Sequence, residues 1–113
     1  MKKNITMLID KDKKAVTKFR EVVIDRFPGA KIILYGSKAR GQADKFSDID
    51  LLVLLNQSID TETEEAIYKI AFEIGLDSDT ILSVIVESKE FFKSALAKVM
   101  PFFKNVRREG IAV

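Results

Sequence analysis

The sequence predicts a mixed α+β (mixed α/β) domain, a small mixed β-sheet of at least three core strands flanked by helices. Three observations carry that prediction. Short apolar runs at 31–35, 49–55 and 80–86 alternate with segments whose apolar residues recur at helical spacing. The 113 residues, 47% of them apolar, suffice for one buried core, so 1–113 reads as a single domain. Two prolines and five glycines leave no room for a long linker or low-complexity tail.

Taken in order, Lys11 to Phe27 places Ala15, Phe19, Val22, Val23 and Phe27 at three- and four-residue spacing among Lys13, Lys14, Lys18, Arg20 and Asp25. That is an amphipathic helix which Asp10 or Asp12 could cap, and Pro28-Gly29 stops it. Lys31 to Tyr35 is a short strand. Gly36 to Phe46 is polar and glycine-punctuated, hence a connection. Ile49 to Leu55 is a second strand, so nearly continuous in apolar character that an interior position covered on both faces is expected. Thr61 to Gly75 is a helix with Ala66, Ile67, Ile70, Ala71 and Ile74 on one side. Its acidic start, Asp60 to Glu65, complements the helix dipole, and Gly75 is its expected stop. Thr80 to Val86 is a third strand, Ser88 opens a helix running to about Met100, and Pro101 to Arg108 is a short helical or irregular segment. Ile111 to Val113 is too short to assign.

Composition narrows the chemistry. Without His or Cys there is no Ser-His-Asp or Cys-His site, no imidazole- or thiolate-based zinc site and no disulfide. Catalysis would have to use carboxylates, hydroxyls, Lys and Arg, backbone amides, or a hard metal held by oxygens. A net charge of +2 is too mild for a nucleic-acid surface. No apolar run approaches the roughly 20 residues that span a bilayer. Met1 to Asp10 holds no signal-peptide core, which favours the cytoplasm.

Two features could carry chemistry. Gly36-Ser37-Lys38-Ala39-Arg40-Gly41 follows a strand. Gly36 permits a sharp turn and close ligand approach. Ser37 would open a helical turn whose free N–H groups and hydroxyl can hold phosphate oxygens, and Lys38 and Arg40 add positive charge. The plainer alternative is an ordinary glycine-serine turn. Ten residues beyond that Gly-Ser pair, Asp48 and Asp50 stand two apart at the start of an apolar strand. Residues so spaced share a face, with Cα atoms roughly 6–7 Å apart. Two carboxylates held that close repel each other, and Mg²⁺ between them removes the repulsion. The plainer alternative is that Asp48 caps the preceding turn and Asp50 marks an exposed strand end. A phosphate-cradling turn facing two carboxylates is the layout that in-line attack on a nucleoside triphosphate requires.

Gly36-Ser37, ten residues, then Asp48-Ile49-Asp50 resembles the G-S-x10-D-x-D signature of nucleotidyltransferases related to DNA polymerase β. Tyr35 to Gly41 followed by Ser47-Asp48-Ile49-Asp50-Leu51 is similar to the minimal nucleotidyltransferase group. The resemblance implies a nucleotidyltransferase-like sheet, Mg²⁺ on Asp48 and Asp50, and a triphosphate gripped by Gly36 and Ser37. Lys38 joins the nucleotide-binding residues, and Arg40 lies by the phosphates or braces the turn. It further implies transfer of a nucleoside monophosphate, usually AMP from ATP, to a hydroxyl of a protein or small molecule. Minimal members commonly act as antitoxins beside a small helical partner of the HEPN type.

One departure limits the likeness. The family's third carboxylate lies on the next core strand, where the hydrophobic pattern puts Ser83. Asp79 and Glu87 share its face but stand about 13 Å away along the strand. Ser cannot act as a general base near neutral pH. The expected alternative to an active enzyme is therefore a catalytically impaired nucleotide-binding or protein-binding antitoxin-like module. Phe91-Phe92 and Phe102-Phe103 are expected in the core rather than as a stacking platform. Lys104, Arg107 and Arg108 are expected to form a solvated basic face. A partner chain is expected to supply the acceptor surface, and the oligomeric state, a homo-oligomer included, stays open.

Overall fold

The computed structural model describes residue 5, residues 7–41 and residues 47–113. The first residues of the chain and 42–46, the second half of the predicted glycine-punctuated connection, lie outside them. The elements run α1 (Asp10–Arg26), β1 (Lys31–Tyr35), β2 (Ile49–Leu55), α2 (Thr61–Ser78), β3 (Leu82–Ser88), α3 (Lys89–Phe92), α4 (Ala95–Val99), α5 (Pro101–Glu109) and β4 (Ile111–Ala112). The four strands form one mixed sheet in the order β3-β2-β1-β4. β1 pairs antiparallel with both β2 and β4, whereas β2 and β3, joined through α2, run parallel.

The period of two along each strand sorts the core into two layers. Ile32 and Leu34 of β1, Ile49, Leu51, Val53 and Leu55 of β2, and Leu82 and Val86 of β3 face α1 and α2. They pack there with Val16, Phe19, Val23, Ile67 and Ile70. Ile33, Leu52 and Leu54 face the other way, toward Ala97, Phe103 and Val106 of the short C-terminal helices. β2 is thus interior and apolar on both faces, as its composition predicts, and each of its buried Leu and Ile side chains stabilises the fold by about 1.5–3 kcal/mol. Asp50 is the polar exception in this strand. The four phenylalanines sit mainly in the second layer: Phe103 is buried and meets Phe91, Phe92 and Phe102 edge to face. Lys104, Arg107 and Arg108 are exposed, with Arg107 laid over the Phe92 ring.

Several boundaries differ from expectation for local reasons. Neither Asp10 nor Asp12 caps α1; Ile9 holds that position without a side-chain cap, and Asp12 is buried. α2 passes Gly75 and ends at Ser78, followed by Asp79 at the cap in the left-handed conformation (φ 54). Gly75 instead makes room for the returning chain, since a Cβ there would lie 2.7 Å from the Thr80 carbonyl oxygen. The helix predicted from Ser88 to Met100 is two, because Ser94 accepts the Ala97 N–H and starts a new one. The last residues form a fourth strand, β4, on the β1 edge.

Candidate functional site

The carboxylates and the glycine turn meet because β1 and β2 are antiparallel neighbours. β1 ends at Tyr35, whose register partner is Asp50, so the residue that follows, Gly36, lies directly over the start of β2. Gly36 has φ +79, open to glycine at little cost, and a Cβ there would overlap Asp50 Oδ2 and lie 3.2 Å from its Cγ. Only a residue without a side chain lets the turn and this carboxylate come so close. After Gly36 the backbone curls helically, the Ala39 and Arg40 N–H groups both donating to its carbonyl at 3.1 and 3.2 Å. The N–H groups of Ser37 and Lys38 precede the first donor of that turn, the Ala39 N–H, which is the ordinary disposition for receiving an anion.

Asp50 lies on the sheet face covered by the C-terminal helices, and Asp48, two residues earlier, is exposed at the strand entrance. Burial pushes the Asp50 carboxyl up from its ordinary pKa, the Asp48 charge pushes it further, and Arg40 pulls it partly back. Burial, helped by Asp50, also holds the Tyr35 hydroxyl near a pKa of about 12, so it stays protonated at neutral pH. Phe102 fixes that ring edge to face at 5.3 Å. Two hard oxygen donors under mutual repulsion suit a divalent cation that takes one or two carboxylates and completes its shell with phosphates. The register partner of Asp50 on β3 is Ser83, and among the described residues no group of three carboxylates is close enough to share a metal ion. Asp79 meets Lys11, whose Nζ donates to its carbonyl at 2.8 Å and lies 3.9 Å from its carboxylate.

Of the six residues singled out from the sequence, Gly36, Ser37, Arg40, Asp48 and Asp50 gather at this corner. Lys38 faces inward. Lys38 is 6% exposed, and its ammonium pairs with the buried Asp12 of α1, whose other oxygen accepts from the Thr80 hydroxyl. One neighbour of the site was missed altogether. Glu109, at the end of α5, accepts the Gly36 N–H at 3.0 Å and holds Arg40 Nη1 at 3.1 Å with both of its oxygens. Nothing in the spacing of a residue 73 positions along the chain could have placed it there. A cavity of about 450 Å³ lies elsewhere, between α2 and the β3 edge, lined by Tyr68, Phe72, Leu76 and Ile81. Its walls are mainly apolar.

The comparisons with known proteins agree with this geometry. The family model for a nucleotidyltransferase domain matches residues 16–108. Two proteins of Methanocaldococcus jannaschii named as candidate protein adenylyltransferases are similar over most of their length. MJ0141 is 32% identical over 95 residues, which is 84% of this chain and 91% of the relative. MJ0604 is 31% identical over 101 residues, covering 88% and 94%. Among solved structures, a chain from a mutant MntA toxin–antitoxin crystal superposes with a TM-score of 0.60 at 19% identity, covering 94% of this chain and 72% of that one. A chain from a toxin–antitoxin crystal with AMP-PNP gives 0.56 at 19%, covering 90% and 70%. One from the complex of a tri-AMPylated HEPN toxin of Shewanella oneidensis with its MNT antitoxin gives 0.52 at 18%, covering 87% and 67%. At those identities the superpositions establish a shared fold.

Proposed function

This chain belongs to the nucleotidyltransferase domain family, and we propose that it transfers AMP from ATP, with Mg²⁺, to a hydroxyl of a protein partner or small molecule. The observation that carries the proposal is the closure of Gly36 onto Asp50, which sets a phosphate-binding turn against a pair of carboxylates. In the reaction the acceptor oxygen bonds to the α-phosphorus and gives up its proton to solvent, the bond to the bridging oxygen breaks, and pyrophosphate leaves. Gly36, whose N–H is held by Glu109, lets the phosphates approach the backbone, the Ser37 amide and hydroxyl hold them, and the Arg40 guanidinium offsets their charge. Asp48 and Asp50 would hold the metal, which would supply positive charge to neutralise the charge developing on the phosphates. Lys38 supports the turn from behind through Asp12, in place of the phosphate contact suggested by its sequence position.

The relatives named as protein adenylyltransferases and the AMPylated HEPN toxin of one structural neighbour support a protein acceptor. We extend the proposal to an antitoxin that modifies a small helical HEPN-type toxin. A second reading, an impaired module that binds nucleotide or partner without turnover, is favoured by one observation: Ser83 stands beside Asp50 where an acid would complete the set. Ser83 cannot take the acceptor's proton near neutral pH.

Calorimetry of Mg²⁺–ATP binding separates these ideas. Binding by the wild type and its loss in Asp48→Asn with Asp50→Asn is the expected outcome; equal heats from both would sink the carboxylate assignment. Label passing from radioactive ATP to a co-purified partner supports the enzyme. Binding without label, with label gained on Ser83→Asp, supports the impaired module.

A further inference from the structure

We propose that Glu109 is a positioning residue of the nucleotide site, holding the Gly36 amide and the Arg40 guanidinium in the arrangement that receives a triphosphate. This inference rests on the nucleotide reading given above. Its basis is the way the Glu109 carboxylate is used. Oε2 takes the Gly36 N–H, and both oxygens take Arg40 Nη1, so one side chain ties together the first residue of the turn and the cation four residues later.

The attachment is built into the fold rather than made by a mobile surface chain. Glu109 ends α5, the Gly110 N–H closes back on the Val106 carbonyl at 2.7 Å, and β4 then pairs with β1 at Leu34 and Ile33. The backbone on both sides of the carboxylate is therefore fixed against the strand that feeds the turn. The Glu109 side chain is 16% exposed, whereas that of Arg40 is 43% exposed. The brace is thus shielded while the cation it holds keeps a face toward solvent. The Gly36 N–H and Arg40 also draw the Glu109 carboxyl below its ordinary pKa, so the anion persists across the neutral range. Glu109 does not serve as the third metal ligand, because it forms no three-carboxylate group with Asp48 and Asp50.

A brace acting through Arg40 predicts a phosphate-selective defect. The full-length wild type, Glu109→Gln, Glu109→Asp, Arg40→Ala and the Glu109→Gln/Arg40→Ala double variant would be titrated with Mg²⁺–ATP and with adenosine. Glu109→Gln keeps an acceptor for the Gly36 N–H but loses the charge that holds Arg40, so Mg²⁺–ATP affinity should fall about fivefold to tenfold. Adenosine affinity should not change, Glu109→Asp should recover part of the loss, and the double variant should bind Mg²⁺–ATP no worse than Arg40→Ala alone. A purely structural tie would weaken both ligands in proportion to a fall in Tm, and that result overturns the proposal. Unchanged Mg²⁺–ATP affinity in Glu109→Gln, or losses that multiply in the double variant, also overturn it. A wild type that binds no Mg²⁺–ATP overturns the nucleotide reading and this proposal together, whereas binding by the wild type with an insensitive Glu109 overturns this one alone. Should Glu109→Gln fail to fold, Glu109→Asp against Arg40→Lys provides the same comparison.

Discussion

Replacing Gly36 and Gly41 separately by alanine isolates the contact on which the site depends. Both residues have positive φ, +79 and +70, so both substitutions meet the left-handed penalty of about 1–2 kcal/mol. At about 2.1 cal/mol/K of unfolding entropy per residue, a chain of 113 residues loses about 4 °C of Tm per kcal/mol. Gly41→Ala should therefore lower Tm by about 4–8 °C and do little else, because among the described residues its Cβ meets nothing within 4 Å. At Gly36 the Cβ enters the space of the Asp50 carboxylate. Asp50 can swing aside, so the additional stability loss is small, at or below the usual overpacking cost of about 1–3 kcal/mol. The displacement instead removes a carboxylate from the corner that faces the turn. Mg²⁺–ATP affinity should fall by at least about tenfold in Gly36→Ala, the equivalent of about 1.4 kcal/mol, and by less than about threefold in Gly41→Ala. Thermal denaturation and calorimetry on the same preparations measure both quantities. Matched Tm losses with wild-type Mg²⁺–ATP binding in Gly36→Ala would refute the placement of nucleotide and metal between the turn and Asp50.

Breaking the buried Lys38–Asp12 pair from one side, by Lys38→Met or Asp12→Leu, should cost about 3–5 kcal/mol in urea unfolding, since it strands a charge in the core. The double replacement should recover most of that loss and bind Mg²⁺–ATP within about threefold of wild type; lost binding would return Lys38 to the phosphates. At the start of α2, the Asp60 side chain accepts the Thr63 N–H at 2.7 Å, and the Thr63 hydroxyl and N–H draw its pKa down. A carboxylate with a lowered folded pKa stabilises above its unfolded pKa, near 3.9, and loses that contribution as pH falls through the folded value. Asp60→Ala should therefore lower Tm at pH 7, with the gap from wild type closing below about pH 4; a gap independent of pH would argue against the charged cap.

The paired motif was legible because its spacing is short and its residues are chemically distinctive. The strand bounds of β1 and β2 were legible because their apolar runs end abruptly at Gly36, Asp48 and Asn56. What the sequence could not show depends on partners brought in from a distance. Asp12 looked like a helix cap because its nearest neighbours along the chain suggest one, yet a lysine 26 positions away draws it inside. Gly75 has the composition of a helix stop, but its purpose is the close approach of Thr80. Ser83, which the hydrophobic pattern put at the place of the family's third carboxylate, is the register partner of Asp50 because β3, reached through the α2 crossover, runs parallel to β2. Glu109 carries no local signal, and a glutamate at a helix end ordinarily reads as solvated surface.

The reach of Glu109 back to Gly36 also sets an order of events as the chain is made. Synthesis proceeds from the N-terminus, and β1, the turn and β2 emerge together and can pair as soon as they are free. Until residue 109 has followed, the Gly36 amide and Arg40 lack this carboxylate, and β4 has not closed the outer edge of β1. Joining those ends late costs little in loop entropy, which grows only logarithmically with the length enclosed. A nascent chain could therefore contain the whole diagnostic motif and still hold its turn unbraced, with full assembly deferred until α5 docks.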